Sequence, residues 1–273
     1  MPEGDSLHRA ANRLRPALAG ATLERFEAPT LRGARPRLGS RIEAVDAVGK
    51  HLLIRFDDRL VLRTHLGMPG RWDLYRRGER WRRPRRLLRV LVGVDGWDAV
   101  CFAAPEVATH RTDAAGATAA FDRNPVASLG PDLCTPTIDL DEAAARLGSA
   151  ADPATAIADV LLDQRVVAGI GNVYKSEVLH LCRIDPFLAA GEVAPEVRRR
   201  LVGVANRLLL ANLTTARRTT VAGPPGTLAV YRRTGRPCRT CGTPIRRTDQ
   251  GPHRRGTWWC PRCQPPGAGR TTG

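Results

Sequence analysis

The stretch that decides the fold is VYRRTGRPCRTC, Val230–Cys241, followed by TWWCPRCQ, Thr257–Gln264. It contains two cysteine pairs, and two residues lie between the members of each pair. Eighteen residues separate Cys241 from Cys260. This spacing is typical of a tetrahedral four-cysteine zinc site carried on two short turns. We therefore predict one structural zinc ion, bound by Cys238, Cys241, Cys260 and Cys263.

The same segment is strongly basic. From Ala216 to Gly273 the chain has twelve arginines and one acidic residue, Asp249. A zinc ribbon with this charge favours a nucleic-acid clamp. The alternatives are a zinc ion that only stabilises a small tail and, less favoured because nothing else is typical of a secreted protein, a pair of disulfides.

The whole chain has the charge of a protein that binds polyanions. It has 273 residues, a net charge of +16 and a pI of about 11.0. Of its 43 basic residues only Lys50 and Lys175 are lysines. Arginine binds phosphate in a bidentate manner, although a GC-rich genome produces the same bias. In such a chain a lysine is a candidate for a task that arginine cannot perform, such as giving up a proton.

Several features predict the location of the protein. No run reaches the ~18 apolar residues of a membrane span, and the N-terminus lacks an apolar signal region. We predict a cytoplasmic, nucleoid-associated protein.

The remaining cysteines have largely apolar neighbours and are predicted to be buried thiols; they are Cys101, Cys134 and Cys182.

The order of patterns predicts an α+β multidomain chain. Asp5 or Ser6 is predicted to cap a leading helix that Pro16 ends or kinks. Seven short β-type segments then predict a β-sandwich or barrel. They are Thr22–Phe26, Arg41–Ala47, His51–Phe56, Leu60–His65, Arg71–Tyr75, Leu87–Val94 and Trp97–Phe102.

Between the fifth and sixth of these segments, RRGERWRRPRR (76–86) is interpreted as a charged loop that is either simply solvated or contacts phosphate. Ala114–Ala120 is predicted to be a linker. Helices are predicted at Asp141–Leu147, Ala154–Leu162, Val173–Leu181 and Pro195–Leu210. The GIGN turn ends at Asn172, near the N-cap of the third, where main-chain N–H groups can hold a phosphate; the alternative is a purely structural turn.

The N-terminus offers a nucleophile. Removal of Met1, which a small second residue permits, would leave Pro2 as a secondary amine with an α-amino pKa of roughly 7.7–8.0. Attack of such an amine on an aldehyde-like carbon gives an iminium ion with no N–H to lose, which acts as an electron sink. Glu3 follows directly and can act as acid or base. Taken alone, the Met-Pro-Glu sequence is common and carries no weight.

These residues occur in order with further motifs. They are PEGD at Pro2, GKHLL (Gly49–Leu53), HLGM (His65–Met68), LGPDL (Leu129–Leu133), GIGNVYKSEVL (Gly169–Leu179) and the two cysteine segments. Together they resemble the formamidopyrimidine-DNA glycosylase / endonuclease VIII family, from Pro2 to about Gln264. The resemblance implies an N-terminal catalytic β-sandwich domain (1–122), a helix-two-turn-helix DNA-binding domain (129–222), a zinc finger (228–266) and a tail (267–273).

The resemblance also implies a function, that of a bifunctional DNA glycosylase and AP lyase of base-excision repair. Pro2 would attack C1′ of the damaged nucleotide and form a Schiff base, with Glu3 as the adjacent acid and base. Lys50 would contact phosphate and assist β-elimination, and Arg255 would hold phosphates and serve δ-elimination. Asn172 would bind phosphate next to the lesion. Met68 would fill the gap left by the flipped nucleotide, the alternative being core packing.

Three departures bear on specificity. Ser6 stands where many members have Glu, and Ser128 stands where endonuclease VIII-type enzymes often have a basic residue. The segment Asn212–Val230 is short, where formamidopyrimidine-type members have a longer loop over an oxidised purine. The short segment, with PEGD and KSEVL, favours the endonuclease VIII branch and oxidised pyrimidines. The expected partner is damaged double-stranded DNA, bound by a monomer.

Three alternatives stay open from the sequence. One is an enzyme specific for oxidised purines, and another is a catalytically inactive protein that binds damaged DNA. The third is a zinc-ribbon transcription or translation factor, which does not account for Pro2, Lys50 or the GIGN turn.

Overall fold

The computed structural model describes residues 2–112, 126–149 and 152–270. The chain forms two compact units, Met1–Ser128 and Leu129–Gly273. The predicted linker Ala114–Ala120 lies outside the described residues. The predicted domain boundaries, including those of the zinc finger within the second unit, stay predictions. In the described part of the chain, no helix has the length and apolar character needed to cross a membrane.

The first unit is a β-sandwich preceded by a helix, as predicted. Helix α1 is followed by two antiparallel four-stranded sheets in the orders β1-β6-β7-β5 and β2-β3-β4-β8. Alternate side chains of the two sheets and the apolar face of α1 share one buried core. The elements are α1 (Gly4–Leu18), β1 (Arg25–Glu27), β2 (Ile42–Val48), β3 (His51–Phe56), β4 (Leu60–His65), β5 (Arg71–Arg76), β6 (Leu88–Val94), β7 (Trp97–Phe102) and β8 (Glu106–Arg111).

The predicted cap of α1 is wrong. The helix begins at Gly4, and Glu3 is the N-cap, whose carbonyl accepts from the N–H of Ser6 (2.9 Å) and Leu7 (3.3 Å). The Asp5 carboxylate instead lies inside the first turn, where a negative charge is favourable near the helix N-terminus. Pro16 lies within the helix, which continues for two more residues to Leu18. The helix tolerates it there because a proline in the last turn removes a single hydrogen bond.

The second unit is helical and ends in a β-hairpin. Its core lies among the four helices and the loops that join them. Helix α2 is capped by Asp139, whose carboxylate accepts from two N–H groups, and α5 starts with a proline at its first turn. The elements are α2 (Leu140–Gly148), α3 (Ile157–Val160), α4 (Asn172–Leu181), α5 (Pro195–Ala211), β9 (Arg246–Gln250) and β10 (Arg255–Trp259).

Helix α3 is shorter than the predicted segment Ala154–Leu162. The Asp152 side chain accepts from the N–H of Ala154 and the hydroxyl of Thr155, which forms a turn there. At the other end, the N–H groups of Leu162 and Asp163 bond three residues back, so the chain continues as tight turns. The turn at Asp152 thus makes α3 begin later than predicted, and the tight turns at Leu162 and Asp163 make it end earlier.

The three remaining cysteines are buried, as predicted: Cys101 is 0% exposed, Cys134 2% and Cys182 4%. Burial raises the pKa of the Cys101 and Cys182 thiols, which keeps them protonated and unreactive.

Candidate active site and metal centre

The N-terminal residues lie at the start of α1. Pro2 is half-buried and Glu3 is completely buried, with 0% exposure. A carboxyl that follows the terminal residue and is shielded from water can exchange a proton with a group that reacts at residue 2. The structure places the buried Glu3 directly after Pro2 at the start of α1, and their roles as acid/base and nucleophile stay predictions.

Lys50 lies on the tight turn between β2 and β3. Val48 pairs with His51 across this turn, and Gly49 adopts a φ of 55°, which suits glycine. Lys50 is half-buried on this turn. This position, at the end of the sheet rather than in its core, suits a contact with an incoming phosphate.

A cluster of polar side chains, of which His51 and Arg63 are buried, lies next to this turn. Nη1 of Arg63 donates to Nδ1 of His51 (3.2 Å) and to Oε2 of Glu106 (3.2 Å). The rings of His51 and His65 are 5.1 Å apart. Burial first, and then the charges of Arg63, His65 and Lys50, lower the pKa of His51 to about 3. The imidazole therefore stays neutral beside Lys50 at neutral pH.

We predict that His51 makes the first unit sensitive to acid. The unfolded chain takes up a proton near pH 6.5 that the folded chain refuses until about pH 3, so stability falls as pH drops through that window. The slope is at most about 1.4 kcal/mol per pH unit for one group. The His51→Asn variant should lose that part of the slope between about pH 6 and 4, measured by urea unfolding. The matched control is exposed His253→Asn, and equal slopes for all three proteins would contradict the prediction.

Met68 lies at the tip of the loop between β4 and β5. It is 67% exposed, so it is not a core side chain. The loop is a fixed turn in which Gly70 N–H donates to the Leu66 carbonyl at 2.8 Å. A Cβ at Gly67, where φ is +54°, would lie 2.8 Å from Cγ of Pro105, so glycine is needed there. A rigid loop with an exposed apolar tip is suited to insertion between bases.

The GIGN turn is fixed by a side chain that the sequence reading missed. Gln164 donates through Nε2 to the carbonyls of Leu162 (2.9 Å) and Ile170 (3.0 Å), and its Oε1 accepts from Gly169 N–H (3.1 Å). Gly169 adopts a φ of +99°. Gly171 is the N-cap of α4, and Asn172 is its first residue.

Helix α4 holds the strand that carries Arg255. Nδ2 of Asn172 donates to the carbonyl of Gly256 (2.8 Å), and Nζ of Lys175 donates to the same carbonyl (3.2 Å) and to Oγ1 of Thr257 (2.8 Å). The structure thus brings Asn172 next to the residue that follows Arg255. Arg255 is exposed, whereas Lys175 is 0% exposed and acts as a strut between α4 and β10.

Asn172 has further hydrogen-bonding capacity. Its Oδ1 is buried and has no hydrogen-bond partner among the residues that the structure describes. One hydrogen of Nδ2 points to Gly256, and the amide has a second. The Asn172 amide therefore keeps one N–H donor beyond its bond to Gly256, and its role in binding phosphate with Arg255 stays a prediction.

Glu177, on α4, binds the chain segment that precedes the first cysteine pair. Its carboxylate accepts from the N–H groups of Ala229 (2.6 Å), Val230 (2.8 Å) and Tyr231 (2.7 Å), and from the hydroxyl of Thr220. The side chain is 0% exposed. No sequence signal could have revealed this role, because the partners are main-chain groups 52 to 54 residues away.

We predict that Glu177→Gln destabilises the second unit by about 2–4 kcal/mol. An amide has a single acceptor oxygen for four donors, and its NH₂ group would face N–H groups that need an acceptor. Urea unfolding would measure the loss. Exposed Glu196→Gln on α5 is the matched control and should change stability by less than about 0.5 kcal/mol. Equal stabilities for the two variants would contradict the assignment.

The four predicted cysteine ligands form a cluster. All four Sγ atoms lie within 4.8 Å of one another; Cys238 and Cys263 are 3.9 Å apart and Cys241 and Cys260 are 3.4 Å apart. A tetrahedral site with Zn–S bonds of about 2.3 Å has S···S edges of about 3.8 Å. None of the seven cysteines is in a disulfide. The cluster therefore fits a metal ion with four thiolate ligands.

The turns that carry these cysteines flank the hairpin. The first pair precedes β9 and the second follows β10. The N–H of Thr240 donates to Sγ of Cys238 and the N–H of Cys263 donates to Sγ of Cys260, both at 3.4 Å. Such bonds orient the sulfur atoms and favour their thiolate form.

Comparison with known proteins identifies the family. The model of the formamidopyrimidine-DNA glycosylase N-terminal domain matches residues 1–110, and the model of its H2TH domain matches residues 129–222. The structure of the MutM (Fpg) protein from Thermus thermophilus is similar, with a TM-score of 0.76, 28% identity and coverage of 96% of this chain and 98% of that one. The chain belongs to the formamidopyrimidine-DNA glycosylase / endonuclease VIII family.

The relatives also indicate the branch. The chain is 41% identical over 268 residues to the probable endonuclease 8 2 of Streptomyces coelicolor, covering 97% of this chain and 94% of that protein. It is 38% identical over 271 residues to the DNA-(apurinic or apyrimidinic site) lyase Nei2 of Mycolicibacterium smegmatis, covering 97% and 99%. A formamidopyrimidine-DNA glycosylase of Symbiobacterium thermophilum is 33% identical over 288 residues, covering 97% and 90%.

Within the family the chain therefore lies in the endonuclease VIII-like branch, as predicted. It is a DNA glycosylase with AP lyase activity, which acts in base-excision repair.

Proposed function

We propose that this chain removes oxidised pyrimidines from double-stranded DNA and cleaves the strand by β,δ-elimination through a Schiff base at Pro2. The observation that carries the proposal is the buried carboxyl of Glu3 immediately after the half-buried Pro2, at the start of α1. The polyanion partner fits the net charge of +16.

The first chemical steps occur at C1′ of a nucleotide that has left the base stack, because C1′ is shielded in a stacked duplex. The neutral Pro2 nitrogen attacks C1′, the C1′–N bond breaks, and the base leaves with its electron pair and takes up a proton. The sugar ring then opens as O4′ accepts a proton from the Glu3 carboxyl. The nitrogen has lost its only hydrogen, so the product is an iminium ion between Pro2 and C1′.

Elimination follows from the positive charge of the iminium. Loss of a proton from C2′ puts its electron pair into a C1′–C2′ double bond and neutralises the nitrogen. The nitrogen pair then returns to form the iminium again, a C2′–C3′ double bond forms, and the C3′–O bond breaks, which releases the 3′ phosphate. Loss of a second proton, from C4′, breaks the C5′–O bond in the δ step. Lys50 assists proton transfer in the first elimination and Arg255 holds the phosphate that leaves in the second. Water then hydrolyses the remaining iminium ion, with loss of one proton, and returns Pro2 as the free amine.

The other site residues hold the DNA. Asn172 and Arg255 grip phosphate next to the lesion, which is supported by the contact of Asn172 with the residue after Arg255. Met68 fills the space of the flipped nucleotide, which its 67% exposure supports. A zinc ion bound to the four cysteines fixes the turns at both ends of the hairpin. We propose that the protein acts as a monomer.

The preference for pyrimidines is supported by the closed form of the segment 212–230. Asn212 Nδ2 donates to the Thr219 carbonyl (3.1 Å), and Asn212 Oδ1 accepts from Thr219 N–H (2.8 Å). Gly226 N–H donates to Oγ1 of Thr219 (2.9 Å). Hydrogen bonds within the segment and to Glu177 keep it compact. It is therefore too short to cover a base as large as an oxidised purine.

Borohydride trapping tests the proposal. The untagged protein is mixed with labelled duplexes that contain an abasic site, thymine glycol or 8-oxoguanine. Covalent complexes are expected with the first two and weakly or not at all with the third. If 8-oxoguanine is trapped efficiently and thymine glycol is not, the proposed substrate class is wrong and the enzyme acts on oxidised purines. Retained binding with no complex on any duplex would leave a damaged-DNA-binding protein without catalysis.

A further inference from the structure

One surface of the first unit has no part in the chemistry proposed above. The segment Arg77–Leu87 joins β5 to β6, which are separated in the sheet by β7, so it crosses over that strand. It crosses on the face opposite the main core, where a second small apolar cluster lies. That cluster contains Tyr75, Leu88, Leu91, Val100 and Phe102, with Trp81 and Leu87 packed against it.

The crossing segment is fixed to the sheet. The ring of Trp81 meets that of Phe102 edge-on, with centroids 5.8 Å apart. The N–H of Arg82 donates to the hydroxyl of Tyr75 (3.3 Å), and the N–H of Ala103 donates to the carbonyl of Leu87 (2.7 Å). A segment anchored in this way presents its arginines in a defined arrangement, which lowers the entropy lost when they bind a partner.

The charge of the segment is only partly neutralised. From Arg71 to Arg89 the chain has nine arginines and two acidic residues. Four of these arginines bind carboxylates of the same unit: Arg71 and Arg83 bind Asp73, Arg77 binds Glu24 and Arg85 binds Glu27. Within the crossing segment Arg77–Leu87, three others are exposed and have no carboxylate within 4.0 Å in the described part of the chain; they are Arg80, Arg82 and Arg86.

The chemistry of this surface selects its partner. The large apolar side chains exposed in the described first unit are Leu38 and Met68, so this segment offers no anchor for a membrane or for an apolar protein face. What it offers is a group of guanidinium ions, which bind phosphate oxygens in a bidentate manner. A partner with regularly spaced phosphates can engage several of them at once.

We propose that Arg80, Arg82 and Arg86 form a second DNA-binding surface, which contacts backbone phosphates of the duplex away from the damaged nucleotide. The proposal rests on the proposed function only in its choice of duplex DNA as the polyanion. The surface adds sequence-independent affinity and so helps the protein to hold undamaged DNA while it searches. The three arginines take no part in the reaction.

The test is the salt dependence of DNA binding by the full chain. The triple variant Arg80→Ala, Arg82→Ala, Arg86→Ala is compared with the unmodified protein on an undamaged duplex of about 30 base pairs between about 50 and 200 mM NaCl. Each lost phosphate contact reduces the slope of log K against log salt by about 0.9, so three contacts reduce it by about 2.7. Over this range the unmodified protein should then lose about 40-fold more affinity than the variant.

A matched control removes the same charge elsewhere in the unit. Arg32, Arg35 and Arg37 are also exposed, and their replacement by Ala should leave the slope unchanged. An unchanged slope in the first triple variant, or equal falls in both, would overturn the proposal. If the slope falls only for binding to single-stranded RNA of the same length, the surface binds RNA and the proposal of duplex DNA is overturned.

Borohydride trapping on a short abasic duplex separates this result from the proposed function. The first triple variant should trap at saturating protein as the unmodified chain does. If the slope falls in the first triple variant as expected but neither protein is trapped, the Schiff-base function is refuted and the binding surface is still supported.

Discussion

A chain that retains any residue before Pro2 is expected to form no covalent complex with an abasic duplex and to cut it on the order of 10³-fold more slowly, or worse. The reason is electronic. Acylation turns the nitrogen of Pro2 into an amide, whose lone pair is delocalised and cannot attack C1′. The fold should be unaffected, because Pro2 precedes α1 and Glu3 remains its N-cap. Borohydride trapping and strand-cleavage rates measure the effect.

The matched control carries the same extra residues after Gly273 and should trap and cut normally. Equilibrium binding to the abasic duplex should be similar for both extended chains, since the net charge is the same. Efficient trapping by the N-terminally extended chain would assign the nucleophile to another amine. The chain has two lysines for that role, Lys50 and Lys175, and the first is the more accessible of the two.

Replacing Cys260 with Ala should remove the metal ion and reduce strand cleavage by at least about 100-fold. Three thiolates leave the tetrahedral site incomplete, and structural sites of this kind contribute directly to folding. The turn after β10 would lose its anchor, and Arg255, five residues earlier, would lose its fixed position. A contact between a guanidinium and phosphate is worth about 1.5–3 kcal/mol, and disorder of the hairpin adds to that loss. Metal content and single-turnover cleavage provide the two readouts.

Cys182→Ala is the control, because Cys182 is a buried thiol of the same unit outside the metal cluster. It should keep its metal and most of its cleavage activity. The first unit of Cys260→Ala should stay folded, since its core is formed by its own sheets and α1. Cleavage by Cys260→Ala at the rate of the control, with the metal lost, would refute the role of the finger.

The sequence predicted much of the sandwich for a clear physical reason. Segments such as His51–Phe56 and Leu60–His65 have the bounds predicted for them, because they are apolar, β-branched or leucine-rich, and bounded by turns. Strands β8, β9 and β10 were missed. The sequence of β9, RRTDQ, is largely exposed and has no apolar periodicity, so the pattern contains no signal for a strand.

The site was predictable in its residue types but not in its connections. Cysteine spacing is a local signal, and the four sulfur atoms do cluster. The roles of Lys175 and Glu177 depend on main-chain groups more than 50 residues away, which only the fold brings close. Lys175 illustrates the difference, because its rarity marked it as a candidate for proton transfer, whereas it is a buried strut.

We expect helix α4 to link metal binding and DNA binding thermodynamically. Its residues bind the segment before the first cysteine pair through Glu177 and the hairpin through Lys175, and its first residue, Asn172, binds the carbonyl of Gly256, next to Arg255. Coupling between two ligands is reciprocal. If the proposed contacts of Asn172 and Arg255 with DNA form, a duplex would raise the affinity of the four cysteines for their metal by the same factor by which the metal raises affinity for the duplex. Enzyme bound to DNA should accordingly resist chelators that strip the free enzyme.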